Sequence, residues 1–238
     1  MLLALDTATA TVTAAVLHDG RVLAEVVETD HRRHAELLAP AVQRVLADSG
    51  ITARDLTAVV VGTGPGPFTG LRVGLVTARV LGRVHDVPVH GVCSLDVLGH
   101  QAVEAGIIAD DGRFLVATDA RRREVYWATY ELRDDRAVRR EGPAVGRPAD
   151  LDPAVAALPC VGRGPLLYPE HLTDARVADG GEPPRDVHAG ALARLAARAL
   201  AEGDDTVLGP PEPRYLRRPD AAVPGPPKPV HQPAGGRR

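Results

Sequence analysis

Leu2 to Leu5 opens the chain as a short apolar run and reads as a strand, followed by a small polar loop over residues 6–10. Thr11 to Leu17 is rich in β-branched residues, and Asp19-Gly20 is a hairpin turn signal. Arg21 to Glu28 then alternates, with Val22, Ala24 and Val26 on one face. Three strands joined by short turns predict an antiparallel meander. Residues 34–49 carry Leu37, Leu38, Ala41, Val42, Val45 and Leu46 at helical spacing, with Asp30 as a candidate N-cap and Gly50 as the stop. Pro40 falls inside that pattern and predicts a kink or a first turn. Ala58 to Val61 reads as a buried strand, 69–82 as a second helix and 87–92 as another strand. Ser94 opens a third helix that runs to about residue 105, and there Ser94 reads as an N-cap.

The pattern then restarts. A turn-rich junction over 106–112 precedes strands at 114–118 and 124–132, and Cys160-Val161 reads as a short strand. An Ala/Leu-rich helix over 187–202 stops at Gly203, and 209–218 is extended and proline-rich. Two α/β units are therefore expected, divided near residues 104–112: a first over 1–104 and a second over 105–218. Residues 219–238 are rich in Pro, Gly and Ala and read as a disordered tail.

Composition narrows the function classes. Apolar residues make up 45% of the 238, enough for a core, and aromatics only 3%, so that core is aliphatic. A formal charge of −3 argues against a general nucleic-acid binder held by phosphate contacts. Basic spots such as Arg121-Arg122-Arg123 read as solvated surface. No run of apolar residues is long enough to span a membrane. Asp6 interrupts the N-terminal apolar segment and no basic region precedes it, so a first strand is expected there, and the cytoplasm as location. Cys93 and Cys160 have no metal-ligand spacing and read as small core residues.

Three constellations could carry chemistry. Asp6 and Thr7, at a strand end in Leu5-Asp6-Thr7-Ala8-Thr9, could hold a metal-bound nucleotide phosphate, or Asp6 could accept hydrogen bonds from its own turn. The stretch Gly62-Thr63-Gly64-Pro65-Gly66-Pro67-Phe68-Thr69-Gly70 has neither the lysine of a Walker loop nor the glycine spacing of a dinucleotide fingerprint. It could still offer amides to an anion. The preferred reading is close packing of helices, because Gly70, Gly74 and Ala78 put small residues on one face and Phe68 sits at the loop tip. Asp119 ends a second-unit strand as Asp6 ends one in the first, either as a second acid across a cleft or as a charged hairpin. His31 and His34 lack ligand partners at matching spacing and read as surface residues.

At these residues the chain resembles a known family. Gly64-Pro65-Gly66-Pro67-Phe68-Thr69-Gly70-Leu71-Arg72-Val73-Gly74 is similar to the signature loop and helix of the TsaB (YeaZ) family. Leu5-Asp6-Thr7-Ala8-Thr9, His34-Ala35-Glu36-Leu37-Leu38-Ala39-Pro40, Asp119-Ala120-Arg121 with Glu124-Val125-Tyr126, and Pro213-Arg214-Tyr215-Leu216-Arg217 fall in the family's order. The resemblance covers residues 1 to about 218. It implies an α/β fold of two ribonuclease H-like (actin-like, ASKHA) lobes, each a mixed sheet flanked by helices. It implies work on threonylcarbamoyladenosine, the modified adenosine beside the anticodon of certain tRNAs. The subunit itself would be non-catalytic, paired with its paralogue TsaD through a four-helix bundle and joined by the ATPase TsaE, with tRNA met only through the complex. The same surface could form a homodimer in isolation.

Carried onto this chain, the bundle would use His34, Leu37, Leu38, Ala41, Val45, Phe68, Thr69, Gly70, Val73, Gly74 and Thr77. Gly74→Leu should then abolish pairing and leave the monomer folded. Asp6, Thr7 and Asp119 would be vestiges of a nucleotide site, with no cofactor of its own and an adenine nucleotide at the heterodimer junction. TsaD carries a Gly-Val-Asn-His-x-x-x-His stretch; here Gly91-Val92-Cys93-Ser94-Leu95-Asp96-Val97-Leu98 puts Ser94 and Leu98 at the two histidine positions, so no metal is expected. His100 lies two residues too far along to substitute. The competing expectation is an active kinase-like phosphotransferase using Asp6, a second acid and an adenosine pocket near Gly162-Arg163-Gly164.

Overall fold

A computed structural model describes residues 1–30, 33–109, 112–176 and 184–217. Its first strand, β1 (Leu2–Asp6), is buried on both faces, which is why it reads as an unbroken apolar run. Leu3 and Leu5 face one core, Leu2 and Ala4 the other. β1 pairs antiparallel with β2 (Thr11–His18), which pairs antiparallel with β3 (Arg21–Thr29). On its other side β1 runs parallel to β4 (Ala58–Gly62), and β4 to β5 (Val89–Val92). The strand is shorter at its start than the expected 87–92, because Pro88 has no N–H and only its carbonyl is used, accepting from Val59 N–H at 2.9 Å.

Three helices dress this sheet: α1 (His34–Asp48), α2 (Phe68–His85) and α3 (Ser94–Glu104). The first two cover one face and pack on each other; Leu38, Val45 and Leu71 join Leu3 and Leu5 there. The N-cap of α1 is Arg33 rather than Asp30, whose carboxylate accepts the Arg33 N–H at 3.2 Å one turn upstream. Pro40 is accommodated inside the helix on its exposed side.

The second sheet contains β6 (Arg113–Asp119), β7 (Val125–Arg133), β8 (Arg136–Gly146) and β9 (Cys160–Val161) in the order β8-β7-β6-β9. It repeats the start of the first: the leading strand sits between its antiparallel hairpin partner and a parallel fourth strand. β8 was not expected from the sequence, because its residues are only half-buried or exposed and their pattern lacks a clean alternation. Two one-turn helices, α4 (Pro153–Ala156) and α5 (Gly164–Leu167), flank β9.

The last helix and strand correct the expected division at residues 104–112. α6 (Ala189–Glu202), stopped by Gly203 at φ 68° as expected, lies across β1 to β4 of the first sheet. β10 (Leu208–Gly209) then pairs with β5 and closes that sheet as its edge. Leu192 of α6, Leu95 and Leu98 of α3, and Phe114 and Tyr130 of the second sheet share one core. The chain thus returns to its starting sheet, and residues 1–104 do not form a separate unit. The tail at 219–238 and His31 lie outside the described residues.

Candidate functional site

The glycine loop folds over the turn after β1. Asp6 Oδ1 accepts the Ala8 N–H at 2.7 Å, and Asp6 Oδ2 accepts the Ser94 hydroxyl at 2.7 Å. Ser94 Oγ in turn accepts the Gly64 N–H at 3.1 Å. Ser94 is therefore the first residue of α3 and not its cap, since its hydroxyl ties the acid to the loop. Thr7 Oγ1 donates to the Gly70 carbonyl at 2.8 Å and accepts the Gly74 N–H at 3.0 Å, so one hydroxyl straddles a full turn of α2. A Cβ on Gly62 would stand 1.7 Å from Asp6 Oδ2, and one on Gly66 2.3 Å from the Ala8 carbonyl oxygen. The glycines do serve close approach, but against this chain's own first turn.

That arrangement corrects two expected site residues. Asp6 and Thr7 are both buried, and their polar atoms are committed inside the protein. Neither can reach a metal-bound phosphate without opening the loop. Of the alternatives left by the sequence, Asp6 accepting hydrogen bonds from its own turn is the one observed.

Burial pushes the Asp6 carboxyl up to about 6, against the hydrogen bonds from Ser94 and Ala8 that pull it down; nearby Asp186 adds to the rise and His34 opposes it. The folded chain therefore holds this proton more tightly than the unfolded chain does. The associated stability is present below the ordinary carboxyl value and is lost as pH rises through about 6. A rise from 3.8 to about 6 corresponds to about 3 kcal/mol over that window. Asp6→Asn stays neutral and should lose that dependence. Urea unfolding of both proteins from acid to neutral pH should show the variant gaining about 3 kcal/mol relative to wild type. A difference that stays flat with pH would mean that the Asp6 carboxyl titrates alike in the folded and unfolded chain.

Beyond the loop, a cleft of about 450 Å³ separates α1 and the start of α2 from the second sheet. His34, Phe68, Thr69, Gly70 and Val73 line one wall and Asp119 and Arg121 the other. His34 Nε2 lies 3.1 Å from the Thr9 carbonyl oxygen. Asp119 repeats the Asp6 geometry, its Oδ1 accepting the Arg121 N–H at 2.7 Å, but its side chain remains partly exposed. The strand-end echo read from the sequence is thus a structural repeat in which only one acid stays accessible.

Arg163 and Asp186 meet in the same cleft: Arg163 Nε donates to Asp186 Oδ1 at 2.9 Å and its terminal nitrogen to Oδ2. Asp186 also accepts the Ala10 N–H at 3.2 Å. The sequence did not single out Asp186, and no spacing signal could have done so, since Ala10 is 176 residues away. Asp6 is thus sealed from this cleft, and Arg163 is held by Asp186 within it.

The expected partner surface divides. Leu38, Ala41 and Val45 are core residues against the first sheet, and Gly70 and Gly74 are buried against Thr7. These five cannot touch a partner, which corrects their assignment. His34, Leu37, Phe68, Thr69, Val73 and Thr77 remain at least partly exposed. Phe68 is not a bare loop tip: it stacks on Tyr215 at 5.1 Å between ring centres, and the Arg72 guanidinium lies 3.8 Å over it. Next to these residues runs a row that the sequence did not bring forward. Val76, Val80 and Val84 are 59%, 53% and 69% exposed on the outer side of α2. Their fourfold spacing, on a helix whose opposite side is already apolar, was the available signal.

The segment after β10 closes the assembly. Arg214 N–H donates to the Thr63 carbonyl at 2.9 Å, and Arg217 donates to the Ala120 carbonyl at 3.2 Å while pairing with Glu124. It straps the glycine loop to the turn between β6 and β7. Leu98, on α3, is fully buried and Ser94 is committed to Asp6, so neither expected histidine position offers a ligand. No helix among the described residues is long and apolar enough to cross a membrane.

Comparison with known proteins agrees with this architecture. Residues 21–160 match the family model described as TsaD: tRNA N6-adenosine threonylcarbamoyltransferase. An uncharacterized protein of Mycobacterium tuberculosis is 46% identical over 234 residues, covering 92% of each chain. The tRNA threonylcarbamoyladenosine biosynthesis protein TsaB of Escherichia coli is 33% identical over 223 residues, covering 91% of this chain and 94% of that protein. The solved structure of YeaZ from Pseudomonas aeruginosa superposes with a TM-score of 0.74 at 32% identity, over 90% of this chain and 99% of that one. With this sheet order, this glycine loop over Asp6 and these relatives along nearly its whole length, the chain belongs to the TsaB (YeaZ) family.

Proposed function

We propose that this chain acts in the biosynthesis of threonylcarbamoyladenosine in tRNA as a non-catalytic subunit that docks on a TsaD-type paralogue. The observation that carries the reading is the contrast between a sealed acid and an open helix. Asp6 is locked beneath the glycine loop, whereas α2 presents Val76, Val80 and Val84 to solvent. An apolar stripe of that kind on an otherwise ordinary surface marks an interaction site. The revised docking face is Thr69, Val73, Val76, Thr77, Val80 and Val84 on α2, flanked by His34 and Leu37 of α1. A four-helix bundle with the equivalent helices of the paralogue would cover it.

The repeated strand order supports two actin-like lobes that share a core through α3 and α6. An adenine nucleotide at the subunit junction would be held by the paralogue's side, because this chain's Asp6 is committed inside the protein and Arg163 is paired with Asp186. TsaE joins the pair, and the same valine stripe would pair two copies when the paralogue is absent. Work on tRNA supports the cytoplasm as the location.

The test separates a docking subunit from a kinase-like enzyme. Cells lacking the chain should lose threonylcarbamoyladenosine from tRNA, read by nucleoside mass spectrometry. A double variant, Asp6→Asn with Asp119→Asn, should restore it fully, since each amide keeps the Oδ1 acceptor used by Ala8 and Arg121. Failure of the folded double variant to restore it would favour catalysis by this chain's own cleft.

A further inference from the structure

The turn between β6 and β7 holds Arg121, Arg122 and Arg123 at φ 61°, 55° and 62°. The left-handed region crowds Cβ against the neighbouring carbonyl, so glycine, asparagine and aspartate ordinarily fill it. Three arginines in succession are not what a merely solvated hairpin selects. The turn is fixed by Ala120 N–H to Glu124 O and Glu124 N–H to Arg121 O, both 3.0 Å, and by the Asp119 carboxylate on Arg121 N–H. All three side chains are exposed.

Aromatic rings stand beside the guanidiniums. A recess of about 210 Å³ is lined by Phe68, Arg121, Arg122, Tyr126, Tyr215 and Arg217. Arg72 lies over Phe68 and donates to the Tyr215 hydroxyl at 2.8 Å, so the stack is already assembled. Asp119 pairs with Arg121 at 3.3 Å and Glu124 with Arg217. The chain as a whole carries a formal charge of −3, so this concentration of positive charge is local.

We propose that the left-handed arginine turn, with the Arg72–Phe68–Tyr215 stack, is a contact surface for the phosphodiester backbone and an unpaired base of the RNA substrate. Guanidiniums bind phosphate oxygens in pairs of hydrogen bonds, and unpaired bases stack on aromatic and guanidinium planes. A protein partner would use the guanidiniums against carboxylates and would not need the stack. The assignment to RNA rests on the function proposed above.

The test uses the complex of this chain with its TsaD-type paralogue and a fluorescein-labelled anticodon stem-loop RNA, titrated by anisotropy between about 50 and about 200 mM salt. Arg122→Gly with Arg123→Gly relieves the left-handed strain, so an unchanged or raised Tm shows that folding is intact. The double variant should bind RNA roughly tenfold more weakly at the low-salt end. Its slope of log K against log salt should fall by about 1.4, the value for two lost single-strand contacts. Unchanged affinity and slope in a variant that still assembles would overturn the proposal, as would a wild-type complex that binds no RNA. Weakened assembly with unchanged RNA binding would overturn it too, and give the surface to the protein partner. Retention of threonylcarbamoyladenosine in cells lacking the chain would instead remove the function reading, whereas wild-type modification with an unchanged titration removes this inference alone.

Discussion

Gly74→Leu is expected to unfold the chain. A Cβ at residue 74 would stand 2.6 Å from Thr7 Oγ1 and 3.6 Å from Val61 Cγ2. Thr7 has no free rotamer to offer, because its hydroxyl bonds both Gly70 O and Gly74 N–H. The remaining leucine atoms would point into β4 and the turn after β1, where Leu5, Ala8 and Val61 are buried in one core. Overpacking by that much costs several kcal/mol, and loss of the buried hydroxyl bridge adds about 1–3 kcal/mol. A total above about 4 kcal/mol removes most of the stability of an ordinary domain. Thermal unfolding by circular dichroism is the measurement, with Gly74→Ala expected to fall between wild type and leucine. A leucine variant with wild-type Tm that fails only to bind the paralogue would return Gly74 to the docking surface and restore the helix-packing role its spacing suggests.

Val76→Asp with Val80→Asp should do the reverse. Both side chains are more than half exposed, so the monomer loses little by the change. In the complex, each aspartate would be carried out of water into the bundle, with Arg79 and Arg83 of α2 within helical reach. Burial of charge at the centre of an interface still costs about 3 kcal/mol, or about a hundredfold in Kd. Calorimetric titration against the purified paralogue would read the loss, with circular dichroism confirming the unchanged fold. Wild-type affinity in the double variant would place the docking surface elsewhere on the chain. The pair of experiments therefore distinguishes the two sides of α2 by outcome: the glycine side governs folding, the valine side governs association.

Much of the fold was legible because it is local. The strand over 2–5, the hairpin at Asp19-Gly20, the helices of 34–48 and 68–85 and the Gly203 stop all arise from periodicity and turn chemistry within a few residues. β8 escaped because a half-exposed edge strand carries little alternation. The site was less legible. Gly70 and Gly74 announced a close approach correctly, but not what approaches. A bare helical face suits a partner helix and a neighbouring loop equally well, and only Thr7 lying 2.6 Å from the Gly74 Cβ position decides between them.

The sequence by itself determined the family, through an ordered set of short motifs, and the identity of both strand-end acids. It also determined that residues 91–98 carry no histidine. Tertiary structure alone decided which acid is sealed, which side of α2 is open and where the chain's two halves meet. Asp6 reaches Ser94 across 88 residues and Ala10 reaches Asp186 across 176, and α6 crosses back over strands laid down at the chain's start. Periodicity describes one element at a time. Burial is a property of what lies opposite, and that is fixed only when distant segments close on each other.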